Sequence, residues 1–236
     1  MLKVGIEATG GVLAGIVVVL WLSISLFIRN SNRHLQKIDV VTFCWLTMTA
    51  MTGVWEWAYL HYHDDVVADA QTFIATNTHV WTNYYDISYI VPWRFSPIMY
   101  TEYAAYADRA YMSTHDPLAQ IVELSHLLYC SVFAALAITR KSVGDTYLYL
   151  IFMVLALGTQ SMQCLMYVSN YFVETTEPHH ANFITESFPA GQYWEKRPFF
   201  YVNIFWTGMG LVVIFIEVIL GKWRHTQNND KKKKKN

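Results

Sequence analysis

Between positions 10 and 28 the chain carries no charged side chain, and this run constrains the fold more than any other feature. A hydrocarbon core of ~30 Å, crossed at ~1.5 Å per residue, asks for ~20 apolar residues in a helix, because no backbone group can be left unpaired in lipid. Four more runs, 40–60, 118–138, 146–168 and 199–220, meet that requirement. The first run has no basic lead beyond Lys3, and a basic stretch follows it directly, so it reads as a retained helix rather than a signal peptide. The expected fold is an all-α membrane protein, a bundle of five transmembrane helices with a long lumenal loop between helices 2 and 3. Residues 1–224 form the membrane domain and 225–236 a disordered basic tail.

Lys and Arg in the flanks orient the bundle. Arg29, Arg33 and Lys37 separate the first two helices, Arg140 and Lys141 separate the third and fourth, and Lys222, Arg224 and Lys231 to Lys235 follow the fifth. An odd number of spans puts all three groups on one side, the cytosol, and the N-terminus with the two acidic loops in the lumen. The chain ends Lys233-Lys234-Lys235-Asn236, which matches a dilysine signal for retrieval to the endoplasmic reticulum; a polybasic tail touching anionic lipid is the other reading. The net charge of -1 offers no field for nucleic acid. Cys44, Cys130 and Cys164 fall inside spans without metal-ligand spacing and read as small core residues.

The segment 61–117 is long for a connection and rich in Tyr and Trp, residues that favour the water–lipid interface. It is expected to lie along the lumenal surface as a lid. The second lumenal loop, 169–197, is shorter and carries Pro178 and Pro189.

Strongly polar groups inside a membrane helix cost ~2.5–3.5 kcal/mol at the centre and call for an explanation. Here they are Glu56, Gln120, Glu123, His126, Gln160, Gln163, Asn203 and Glu217. At ~1.5 Å per residue, Glu56, Glu123, His126, Gln163 and Asn203 all fall roughly 6–12 Å below the lumenal boundary, on four helices. Glu123 and His126 are i,i+3, as are Asn203 and Trp206, and Thr52, Glu56 and Tyr59 line one face of the second helix. A bundle interior gathers these faces into one polar pocket with aromatic walls. Helix–helix hydrogen bonding without chemistry is the plainer reading for the glutamines, and Glu217, near the cytosolic end, is expected to snorkel. Two carboxylates in one buried layer repel, which favours one of them carrying a proton.

At these residues the sequence resembles the emopamil-binding protein family of sterol Δ8–Δ7 isomerases, within the wider EXPERA-type superfamily that includes the sigma-2 receptor group. The resemblance runs through Cys44-Trp45 with Glu56 and Tyr62, Glu102-Tyr103-Ala104 with Asp108 and Tyr111, Glu123, and Asn203-Ile204-Phe205-Trp206. It implies a steroid isomerase that shifts a ring double bond by protonation and deprotonation, without a cofactor. Glu123 would then be the acid or proton shuttle, Glu56 its partner, Trp206 a π-face for the carbocation and Asn203 the group orienting a carboxylate. His126, Tyr111, Thr52, Tyr59 and Gln163 would line the substrate. The implied partners are a sterol taken from the bilayer and membrane lipid, with no metal and no nucleic acid; a homodimer is left open. Three positions depart from the family pattern. Thr52 stands where the family has a His one turn before the second-helix Glu, and Gln163 stands where it has an acid. His126, in turn, replaces a small hydroxyl residue.

Three rival readings remain. The same pocket suits a non-catalytic sterol- or amine-binding relative. The sequence His61-Tyr62-His63-Asp64-Asp65, with His115-Asp116 and His179-His180, raises a membrane di-iron site. A transporter lacks support from any repeat or broken helix pair.

Overall fold

The computed structural model describes residues 4–113, 117–174 and 197–221. It is mostly helical. Seven helices are described: α1 (Gly10–Asn30), α2 (Val40–His61), α3 (His63–Thr76), α4 (Pro92–Tyr106), α5 (Leu118–Ser142), α6 (Thr146–Glu174) and α7 (Pro198–Ile214), which continues through a π-helical stretch, Phe215–Leu220. Among them α1, α5, α6 and α7 are long and apolar enough to cross a membrane.

The second helix is equally long, at 22 residues, but Glu56 and the threonines 42, 47, 49 and 52 make it less apolar. Its position accounts for this composition. It packs against α1, α4, α5 and α7, and Phe43, Leu46, Thr49, Thr52, Glu56 and Tyr59 are all buried along it. The buried side of such a helix needs no lipid-like surface and can carry polar groups that find partners inside the bundle, while Val40, Val41, Val54 and Trp57 stay on its exposed side.

The segment expected to be a long loop is folded. His63–Thr76 is a helix that ends at Asn77 in the left-handed conformation (φ 49°). Pro92 opens α4, where a missing N–H costs nothing, and Pro97 lies inside it. A short antiparallel pair joins this region to the N-terminus, β1 (Glu7–Thr9) on β2 (Tyr84–Asp86). Gly10 lies against Val80 so closely that a Cβ would sit 2.2 Å from the Val80 carbonyl oxygen, so only glycine fits there.

At the other end of the bundle the short connections meet. Asn32 donates to the Ser142 carbonyl (3.1 Å), and Arg29 donates to the Ile38 carbonyl (2.8 Å). Glu217 does not snorkel freely: its Oε1 accepts the Asp39 backbone N–H at 3.0 Å, which ties the end of α7 to the start of α2. Arg29, Arg33, Lys37, Arg140 and Lys141 therefore share one end. An apolar core of Phe43, Leu46, Ala134, Tyr149, Met153, Leu157 and Val213 fills the half next to them. The other half is aromatic, with Tyr59, Tyr111, Tyr167 and Phe199 packed on the alanines of α4. The candidate site lies where the two halves meet. The C-terminal lysines, His115-Asp116, His179-His180, Pro178 and Pro189 lie outside the described residues.

Candidate functional site

The site is built around α5. Its first turns are α-helical and carry Glu123; from His126 to Ser131 the helix widens into a π turn. Such turns hold one extra residue and recur at functional sites. Here the turn lets Glu123 and His126 face one cavity while Ser131 still packs on Gly53 of α2.

That cavity measures about 310 Å³ and is walled by α2, α4, α5, α6, α7 and Tyr111. Glu56, Glu123, His126, Thr52, Gln163, Asn203, Trp206 and Tyr111 all line it, so the structure brings together eight of the nine residues expected from the sequence. Tyr59 is the exception. It stands behind the wall, donating its hydroxyl to the Tyr111 carbonyl (3.0 Å) and stacking on Tyr100 with ring centroids 4.3 Å apart.

Two acidic centres occupy the cavity. Glu123 accepts the Tyr100 hydroxyl on one oxygen (2.9 Å) and the Tyr111 hydroxyl on the other. Burial, with Glu123 alongside, holds both phenols well above the usual tyrosine range, so they remain O–H donors. Both Glu123 oxygens are thus used as acceptors, an environment suited to a carboxylate. Glu56, 3% exposed, lies with its Oε1 in direct contact with His126 Nδ1. The far ring nitrogen, Nε2, is 3.0 Å from the Gln160 amide nitrogen, and Gln160 Oε1 accepts the Trp45 indole N–H at 3.3 Å. The imidazole against Glu56 of α2 is thus supplied from α5.

The other lining residues keep partners of their own inside the bundle, and Asn203 alone departs from its expected role. The Asn203 amide donates to the Phe199 carbonyl in its own helix (2.8 Å) and not to a carboxylate. Gln163 donates to the Ser125 hydroxyl (2.6 Å) and accepts the Cys130 thiol (3.3 Å). The Thr52 hydroxyl donates to the Thr49 carbonyl (2.8 Å). Trp206 stands edge-on to His126, with centroids 6.4 Å apart, and packs on Trp45 at 4.7 Å.

Sequence reasoning missed Tyr100, Tyr103 and Tyr167, which line the cavity beside Glu123. The i,i+3 spacing of Tyr100, Tyr103 and Tyr106 signals one face of a helix once 92–106 is read as helical. Above these rings a buried ion pair closes the bundle. Arg197 Nη2 lies 3.3 Å from Asp108 Oδ1, the Tyr167 hydroxyl donates to Asp108 Oδ2 at 2.7 Å, and the guanidinium lies 3.9 Å from the centre of the Phe199 ring. Glu102 takes no part in the cavity and holds His79 (2.8 Å) and the Val80 N–H (2.9 Å).

Among the described residues no three His, Cys, Asp or Glu side chains gather where a metal ion would bind. His61 stacks on Trp57 and His63 reaches Gln120, so these two histidines serve different partners. Comparison of the chain with protein-family models, curated proteins and solved structures gives no match.

Proposed function

We propose that this protein is a steroid double-bond isomerase that takes a Δ8-sterol from the bilayer and returns the Δ7 isomer. In this reading α2 is a fifth span, the N-terminus and α3–α4 face the lumen, and the C-terminal lysines retain the protein in the endoplasmic reticulum. The observation that carries the reading is the pairing, in one mostly apolar cavity, of two differently partnered carboxylates: Glu56 against an imidazole and Glu123 between two phenols.

Moving a ring double bond needs an acid that delivers a proton to one alkene carbon and a base that removes one from the neighbouring carbon. The electron pair of the first π bond forms the new C–H bond, and the pair released by the broken C–H bond forms the second π bond, so no redox partner is required. The carbocation between these steps is favoured by a nearby carboxylate and by π-rich walls, which Trp206 and the tyrosines provide. His126 supplies from α5 the imidazole that the resemblance places on α2.

The test is expression in cells lacking their own Δ8–Δ7 isomerase, with sterols measured by gas chromatography–mass spectrometry. The expected result is conversion of Δ8- to Δ7-sterols, abolished by Glu56→Gln and by Glu123→Gln. Persistence of the Δ8-sterol beside folded, membrane-inserted protein rejects isomerase activity and leaves a sterol- or amine-binding protein.

A further inference from the structure

We infer that Trp45 and Gln160 fix the His126 imidazole as the neutral tautomer with its hydrogen on Nδ1, and so confine the next proton taken up by the Glu56–His126 pair to Glu56 Oε2.

Each hydrogen bond in the Trp45–Gln160–His126 chain has one permitted direction. An indole N–H can only donate, so the Gln160 atom facing Trp45 must be the amide oxygen. The Gln160 NH2 group is then the end that faces His126 Nε2, 3.0 Å away, and it too can only donate. His126 Nε2 must accept, which leaves the ring hydrogen on Nδ1, against Glu56 Oε1. A second proton cannot enter at Nε2 without turning the Gln160 amide, and turning it would set NH2 against the indole N–H. Gln160 is fully buried, so water does not relieve that clash. The place left is Glu56 Oε2, which is buried and has no hydrogen-bond partner among the described residues, on a side chain that lines the cavity. The titratable groups facing the pair are Glu123 and Cys130 on α5, Tyr100 on α4 and Cys164 on α6.

For catalysis, which rests on the isomerase reading, this makes Glu56 the acid and Glu123 the base. The Glu56 O–H bond breaks as the new C–H bond forms. The neighbouring C–H proton passes to a free lone pair of Glu123, and one proton transfer through water from Glu123 to Glu56 resets the site. Trp45 and Gln160 touch neither reacting atom and act as positioning residues.

The test needs no substrate, so it succeeds or fails separately from the sterol assay. The full chain, labelled with 15N-histidine and held in lipid nanodiscs, is studied by NMR, with His126 identified by the signal lost in His126→Asn. The expected spectrum is a neutral ring with hydrogen on Nδ1. That spectrum should persist as falling pH brings up an infrared carboxylic-acid C=O band, lost in Glu56→Gln and kept in Glu123→Gln. Trp45→Phe keeps a ring against Trp206 while freeing the amide, and should shift His126 toward the Nε2–H tautomer or the imidazolium. Gln160→Glu, which offers an acceptor in the same shape, should place hydrogen on Nε2 and serves if Trp45→Phe does not fold. A wild-type imidazolium or Nε2–H signal, or an acid band indifferent to Glu56→Gln, overturns the inference.

Discussion

Gly53 of α2 and Ser131 of α5 touch backbone to side chain: a Cβ on Gly53 would lie 2.7 Å from both the Cβ and the Oγ of Ser131. This contact sets the spacing of the two helices at the level of the π turn. It is also what allows Glu56, three residues further along α2, to reach His126.

Gly53→Ala is therefore expected to push the helices apart and cost about 1–3 kcal/mol, despite the better helix propensity of alanine. Gly15→Ala is the control, since nothing lies within 4 Å of a Cβ built there. Thermal unfolding in detergent should show a loss for the first and no loss for the second.

The Asp108–Arg197 pair is completely enclosed, with side-chain exposures of 1% and 0%. Removing one partner takes away the opposite charge that balances the other in the interior, a change that costs about 3–5 kcal/mol for buried pairs. Asp108→Ala should lower the unfolding midpoint far more than Asp64→Ala, whose carboxylate is exposed. Equal midpoints for the two variants would show that the pair adds nothing to stability.

Tyr100 and Tyr111 each give Glu123 one hydrogen bond, and a bond to a charged group is worth about 1.5–3 kcal/mol. Under the isomerase function proposed above, Tyr100→Phe and Tyr111→Phe should each slow conversion of the Δ8-sterol about 10- to 100-fold. Tyr59→Phe, which loses only a bond to the Tyr111 carbonyl, should slow it less than either. Initial rates in isolated membranes make the comparison.

The N-terminal strand is fastened by Asp86, which accepts the backbone N–H groups of Val4 and Gly5, each at 2.9 Å, and bonds Ser88. The Ser88 bonds, with those backbone donors, hold its carboxyl down at about 2. Because the folded value is depressed, the fastening is complete above the ordinary aspartate value of about 4 and is lost as pH falls through about 2. Pepsin, active across that window, should cut the segment 4–9 increasingly as pH falls. In Asp86→Asn the cutting should already be extensive at the upper end of the window.

Hydrophobic run length was enough to read the long helices from the sequence, since lipid crossing leaves little freedom in length or composition. Depth counting was enough to collect Glu56, Glu123, His126, Gln163, Asn203 and Trp206 at one level, because position along a straight helix fixes height. It carries no information about which atoms meet across the bundle. Asn203 has the right depth and face yet bonds within its own helix, and Tyr59 has the right face but is screened by Tyr100 and Tyr111. The helices α3 and α4 were hidden for a different reason. Their apolar stripes are short and mixed, with Val66, Ala70, Phe73 and Ile74 on α3 and Phe95, Ile98, Ala104 and Ala105 on α4, and two prolines lie in α4, one opening the helix and the other accommodated inside it. The Trp45–Gln160–His126 chain spans residues from three helices, and no local pattern announces it.

The π turn at His126–Ser131 also bears on how the pocket can change over time. One surplus residue rotates everything upstream of it by about 100° relative to everything downstream. The Glu123-bearing start of α5 and its downstream packing shaft are thus set at an angular offset by the turn, like two sections of a jointed rod. Deleting a single residue in the turn would re-aim Glu123 while leaving Ala134 and Ala137 in their sockets. The shape of the cavity can thus change by gain or loss of one codon, without first dismantling the core that keeps the chain folded.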